Sequence, residues 1–154
     1  MPEIPISTQI DRFHVPLVIY SPMLEKAEKF SAVTTHFDLA PSLLALLNGK
    51  EYISRPKAAS WIGHGLDNTV DFRNLNSYPF MRNKNELMDF IGGNNFLANN
   101  TIYNLYPNLY IDPVNLPEIQ QELKDELNNF IRKNKYVCDN NKLIPDSLKT
   151  WMAR

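Results

Sequence analysis

Only one cysteine, Cys138, occurs among the 154 residues. A lone thiol forms neither an intrachain disulfide nor a zinc cluster, so the redox compartment stays open and Cys138 is read as a packing residue. Charge of one sign is lacking too, since sixteen basic residues face seventeen acidic ones for a net charge of −1. That balance offers no field for the phosphates of nucleic acid or for an anionic membrane surface. No apolar run is long enough to span a bilayer, and no basic start precedes an apolar core, so no membrane span or signal peptide is expected in these residues. No spacing of His, Asp or Glu sets a ligand pair on one helix or a nucleophile beside its base. What is there is 44% hydrophobic and 21% charged residues. That is enough apolar material for one ordinary domain with its own core.

The chain is organised around residues 15–47, VPLVIYSPMLEKAEKFSAVTTHFDLAPSLLALL. Val15, Leu17, Val18, Ile19 and Tyr20 make a short apolar, β-rich run, the pattern of a strand covered on both faces. Pro16 belongs at the first position of that strand, and Ser21-Pro22 ends it. A solvated loop with Glu25, Lys26, Glu28 and Lys29 follows. Asp38 is then expected to cap a helix over 39–47 by accepting hydrogen bonds from first-turn amides. Pro41 falls in the first turn, where its missing N–H costs nothing. Leu39, Leu43, Leu46 and Leu47 recur at helical spacing, and Asn48-Gly49 supplies the stop.

The order V-P-L-V-I-Y-S-P, a polar loop, then T-H-F-D-L-A-P-S-L-L-A-L-L resembles the late strand and helix of the sulfatase branch of the alkaline phosphatase superfamily. Within it, the similarity is greatest to lipoteichoic acid synthase-like and phosphoethanolamine transferase-like bacterial enzymes. Ser42 stands where that family's D-x-x-P-T-L-L pattern has Thr. The resemblance covers roughly residues 9–49, with weaker similarity beyond. It implies a hydrolase or transferase acting on phosphate or sulfate esters, with a Thr, Ser or formylglycine nucleophile and a divalent metal (Zn, Mn, Mg or Ca). The metal is held by early acidic residues and a late Asp-His pair. It also implies a parent enzyme at a bacterial cell envelope. No Asp-His dipeptide occurs in these residues. The resemblance therefore implies a C-terminal portion without nucleophile or metal ligands, inactive alone, with the Asp-His codons expected just upstream of Met1 in the DNA.

The lead-in, MPEIPISTQIDRF, has two early prolines and small polar residues, and is read as extended. His36 and Asp38 are both metal-ligand types, but two ligands do not make a site. His36 is read either as hydrogen-bonded locally or as lining the rim of the parent's active site. Residues 51–77 are polar and irregular. There Gly63 and Gly65 flank His64 in a tight loop, and Trp61 and His64 either sit on a surface loop or line a substrate approach. No neighbour supplies a partner for general base work.

Short strands are predicted at 78–82, 86–91, 95–97 and 102–106, separated by Asn- and Gly-rich turns, as a meander of three or four strands. Leu87, Met88, Phe90 and Ile91 break strict alternation there. Tyr103, Tyr106, Tyr110 and Phe96 are read as the buried side of the sheet, not as a sugar platform. Asn115-Leu-Pro-Glu118 opens a strong helix, with Asn115 as cap and Glu118 at the capping-box position. Ile119, Leu123, Leu127, Phe130 and Ile131 form its apolar face, expected to pack on the small sheet. The tail is expected to dock through Leu143, Ile144, Leu148 and Trp151.

The expected fold is α/β. Residues 1–50 supply the terminal strand and helix of an alkaline phosphatase-like core, 51–77 a connecting loop, and 78–154 a small antiparallel sheet with a long helix. Three functions compete: the C-terminal segment of the metal-dependent enzyme, an independently folded noncatalytic binding or assembly module, and a small complete enzyme using His14, His36 and His64. The last is weakest for want of ligand spacing. If residues 15–20 lack neighbouring strands, the partner is either the missing catalytic portion or a second copy, and self-association or poor solubility is expected.

Overall fold

The computed structural model describes residues 9–54, 62–83 and 86–142. Its architecture is mixed α/β, a five-stranded antiparallel sheet with a long helix. Strands β1 (Ser77–Met81), β2 (Leu87–Gly92), β3 (Asn95–Ala98), β4 (Thr101–Tyr106) and β5 (Tyr110–Val114) lie in sheet order β1-β2-β3-β4-β5, each antiparallel to its neighbour. The chain clusters into two compact units, Met1–Val33 with Asn68–Phe130, and Thr34–Asp67 with Ile131–Arg154.

Turn chemistry fixes the register of the sheet. Asn99 and Asn100 join β3 to β4 with φ of 47° and 65°. Asparagine tolerates that left-handed region, and two such residues in a row make a hairpin turn whose twist matches the strands it joins. Gly93, φ 52°, serves the β2–β3 turn in the same way. A fifth strand, β5, was not anticipated. Its sequence, YIDPV, alternates only weakly, and Pro113 argues against an interior strand. Pro113 is tolerated because β5 is an edge, as is β1, which carries Pro79. A proline on each outer strand removes a donor and blunts the edge.

The broken alternation in β2 has a structural cause. Phe80 pairs with Asp89 and Met81 with Leu87, so the register slips at Met88. The bulge turns Leu87 to the same face as Phe90. On that face Phe90, Leu97 and Ile102 pack with Leu123 and Leu127 of helix α2 (Pro117–Asn140), as its periodicity predicts. Gly92 lies under the helix, where a Cβ would meet Leu123 Cδ2 at 2.5 Å. Since α2 begins at Pro117, Leu116 directly precedes it, and Asn115 sits one residue too early to cap it. The helix starts later because proline supplies the first helical position, where its fixed φ is ready-made. Glu118 is in the first turn, where its charge suits the helix's positive end.

The opposite face holds Tyr78, Ile91, Phe96, Ala98, Leu105 and Ile111, closed by Ile10 from the lead-in. Phe80 stacks edge-on to Phe96 at 5.9 Å and beside Phe13 at 4.6 Å. The connection back to the sheet is pinned by buried asparagines. Asn76 Nδ2 donates to the Val33 carbonyl at 2.8 Å, and Asn74 Nδ2 donates to the Gly93 carbonyl at 2.6 Å. One ion pair is enclosed in the same unit. Arg82 donates through Nε and Nη2 to the two oxygens of Asp89 at 2.7 and 2.5 Å, and Asp89 is fully buried. Arg82 also donates to Gln9 and Asn99. The hydrogen bonds to Asp89 raise the guanidinium's pKa above its ordinary value, against the opposing effect of burial.

Residues 15–20 correct the sequence reading, since no strand forms there. Among the described residues none of their backbone groups finds a hydrogen-bond partner, and Val18 and Tyr20 are 80% and 91% exposed. A strand exists only through a neighbour, and among the described residues none is offered. Helix α1 (Leu39–Gly49) forms, ending two residues later than expected, yet none of its residues is buried. The expected docking of the tail through Leu143, Ile144, Leu148 and Trp151 lies outside the described residues.

Candidate functional site

Asp38 is a fully buried side chain that accepts four hydrogen bonds. A short 3-10 turn, His36–Asp38, leads directly into α1 and places Asp38 at the helix's N-cap position. Its carboxylate does not bond the first-turn amides as expected. One oxygen accepts from the Thr35 N–H at 2.8 Å and the Thr35 hydroxyl at 3.0 Å, and the other accepts from the N–H of His64 at 3.0 Å and of Gly65 at 3.3 Å. The side chain reaches back and across because successive amides around a glycine form a concave donor pair that suits a carboxylate.

The glycines flanking His64 make this approach feasible. A Cβ on Gly63 would lie 2.0 Å from the Phe37 carbonyl oxygen, and Gly65 has φ of +110°. Both positions exclude a side chain, the first by contact and the second by conformation. Ser42 adds a third tie, its hydroxyl accepting from the Leu66 N–H at 2.7 Å. The segments T-H-F-D and G-H-G-L, twenty-odd residues apart, are thus locked together by one carboxylate and one hydroxyl. Pro41 lies in the first turn of α1 between them.

His36 and His64, each read from the sequence as either a local surface residue or one lining a substrate approach, are exposed in these two joined segments, as is Phe37. Asp38 holds the backbone of Thr35, next to His36, and that of His64 itself, and both histidines remain exposed. Trp61, the third residue of that group, lies outside the described residues. His14 belongs to the other unit, half-buried, with Nδ1 enclosed and without a hydrogen-bond partner among the described residues.

Among the described residues, no three His, Cys, Asp or Glu side chains gather into a ligand group. The Asp38 carboxylate of this junction is spent on four donors within the chain. A ligand oxygen would have to give these up. The junction is a hydrogen-bonded support beside two exposed imidazoles.

Sequence reasoning missed the Asp38 hub and the Arg82–Asp89 pair. For the pair a signal was present, an aspartate in the middle of L-M-D-F-I-G, where only a partnered charge is tolerated. No helix among the described residues is long and apolar enough to cross a membrane. No protein-family model matches the chain, and no curated protein or solved structure matches it either.

Proposed function

We propose that this chain is the noncatalytic C-terminal segment of a metal-dependent sulfatase-family enzyme. The parent acts on phosphate or sulfate esters, by hydrolysis or by transfer of phosphoglycerol or phosphoethanolamine. The nucleophile and the divalent metal belong to the rest of that enzyme. This segment contributes the joined loops that carry His36 and His64 to the substrate side. The observation that carries the reading is the order of V-P-L-V-I-Y, polar loop and D-L-A-P-S-L-L-A-L-L, combined with the bareness of both apolar parts. Among the described residues, residues 15–20 have no strand neighbour and α1 has no buried residue, as elements of a larger layered core do when that core is not supplied.

The test is metal content and turnover. Purified chain incubated with Mn²⁺ or Zn²⁺ and then desalted is expected to retain no stoichiometric metal and to leave nitrophenyl phosphate and nitrophenyl sulfate intact. In-frame DNA just upstream of the Met1 codon is expected to encode an Asp-His pair. Retained metal with turnover would overturn the reading, as would upstream DNA without that pair.

One observation favours the second reading, a noncatalytic module that folds by itself. The β1–β5 sheet carries a core on each face and a proline on each edge, so it closes its own surfaces without help. A single tight partner recovered with the chain, together with upstream DNA lacking the Asp-His codons, would favour this reading over the first.

A further inference from the structure

We propose that the β4–β5 corner of the sheet binds carbohydrate, with Tyr106 and Tyr110 as a stacking platform and Asn104 and Asp112 holding the hydroxyls of a neutral pyranose. The four residues lie in the sheet's own unit, and the inference does not depend on the family reading.

The aromatic residues of this region divide between two uses. Phe96 is fully buried and Tyr103 packs against the core, as expected of the covered side of a sheet. Tyr106 and Tyr110, expected on that side too, are instead 41% and 57% exposed. The register explains the split. Tyr106 pairs with Tyr110 and Asn104 with Asp112, while Leu105 and Ile111 between them belong to the core. Side chains alternate along a strand, so the two pairs share the other face, on successive rungs about 7 Å apart. Helix α2 covers that face only in part. It starts at Pro117 just beyond β5, Gln120 Nε2 donates to the Asn100 carbonyl at 2.5 Å, and Leu123 lies over Gly92 of β2. The helix thus covers Ile102, Leu97 and Phe90 and leaves Tyr106, Tyr110 and Asp112 exposed beside the β4–β5 turn. In that turn Asn108 and Leu109 take φ of 64° and 57°. The second is a costly conformation for leucine, held by the packing of Leu109 against the core.

The chemistry of the four side chains selects the ligand. Asn95 Nδ2 donates to Asn104 Oδ1 at 3.0 Å, so Asn104 offers its N–H groups as donors, while the Asp112 carboxylate offers acceptors. A ligand that serves both carries donors and acceptors side by side around an apolar face that can lie on an aromatic ring. The vicinal hydroxyls and C–H face of a pyranose meet that description. A proline-rich segment does not, since its carbonyls only accept and its ring nitrogens donate nothing to Asp112. A phosphate is repelled by Asp112, with no Lys or Arg among the residues paired on these rungs. A cationic group would suit Asp112 and the rings, but it would leave the Asn104 donors unused, and its binding would weaken with salt.

The test is a titration of isotope-labelled full-length chain with cellotetraose, maltotetraose and chitotetraose, followed by amide shifts. At least one sugar is expected to bind saturably, with equal affinity at low and high salt. It should move the amides of Asn104, Tyr106, Tyr110 and Asp112 and leave those of Phe90 and Leu97 in place, so that the latter also report the folding of each variant. Tyr106→Ala and Tyr110→Ala are each expected to weaken binding roughly fivefold, and Tyr110→Phe, which keeps the ring, to change it less than roughly twofold. Absence of saturable shifts with all three sugars up to their solubility limits would overturn the proposal. So would binding indifferent to both alanine variants, or salt-sensitive shifts of the same amides by tetramethylammonium where no sugar produces them.

Discussion

The β1–β5 sheet and the stretch before it are built from similar residues and end in opposite conditions. In the sheet, Phe96, Ile91, Ile102 and Ala98 are almost entirely removed from water. In residues 15–20, valines, isoleucine, leucine and tyrosine of equal apolarity stay exposed. Helix α1 repeats the contrast with α2, since α2 buries Leu123 and Leu127 while α1 buries nothing. The difference lies in what each is given to pack on. Hairpin turns bring each strand of the sheet its neighbour within a few residues, whereas residues 15–20 need a neighbour from further away. Apolarity sets the tendency to be buried, and local connectivity decides whether the tendency is met.

The contrast breaks most severely at Asp89. Asp89→Ala leaves the Arg82 guanidinium, only 17% exposed, without its carboxylate, and is expected to cost about 3–5 kcal/mol, read as a lowered urea midpoint. The sign of the pH effect from Arg82 follows from its raised pKa. Its stabilisation is fully present below the ordinary arginine value and is lost only as pH rises through the folded value. Asp89→Ala should therefore be as damaging at neutral as at mildly alkaline pH.

A smaller loss is expected at Gly92. Gly92→Val sets side-chain atoms against Leu123 and should cost about 1–3 kcal/mol by lifting α2 from the sheet. Asp38→Asn replaces an acceptor of four hydrogen bonds by an amide with one acceptor oxygen, and is expected to cost about 1–3 kcal/mol. Its signature is local: amide shifts at Thr35, His64 and Gly65 should move while those of β1–β5 stay. The smallest effect belongs to Leu43, 58% exposed on α1. Leu43→Lys should leave stability within about 0.5 kcal/mol of wild type, and a loss several times larger would show that α1 is packed after all.

Most of the sheet was legible because its signals are local. Asn99-Asn100 and Gly93 announce turns, and the α2 stripe from Ile119 to Leu127 announces a buried face. Strand β5 was not legible, because Pro113 and Asp112 erase the alternation that Ile111 and Val114 begin, and nothing in YIDPV says that it lies at an edge. The bulge at Met88 was visible only as disturbed periodicity. The helix cap at Asp38 was placed correctly and its bonds were not, since Thr35 lies beside it while His64 and Gly65 come from a loop whose path no spacing encodes. The strand expected at 15–20 has the right composition and lacks a partner, which composition cannot supply.

The most direct test of this contrast is residue-resolved amide hydrogen exchange on dilute monomeric chain. Amides paired within β2, β3 and β4 are expected to exchange only through global unfolding, and those of Leu17, Val18, Ile19 and Tyr20 at rates near those of an unstructured peptide. Strong protection of these four in the dilute monomer would contradict the account, because it would mean that the chain covers its own apolar stretch.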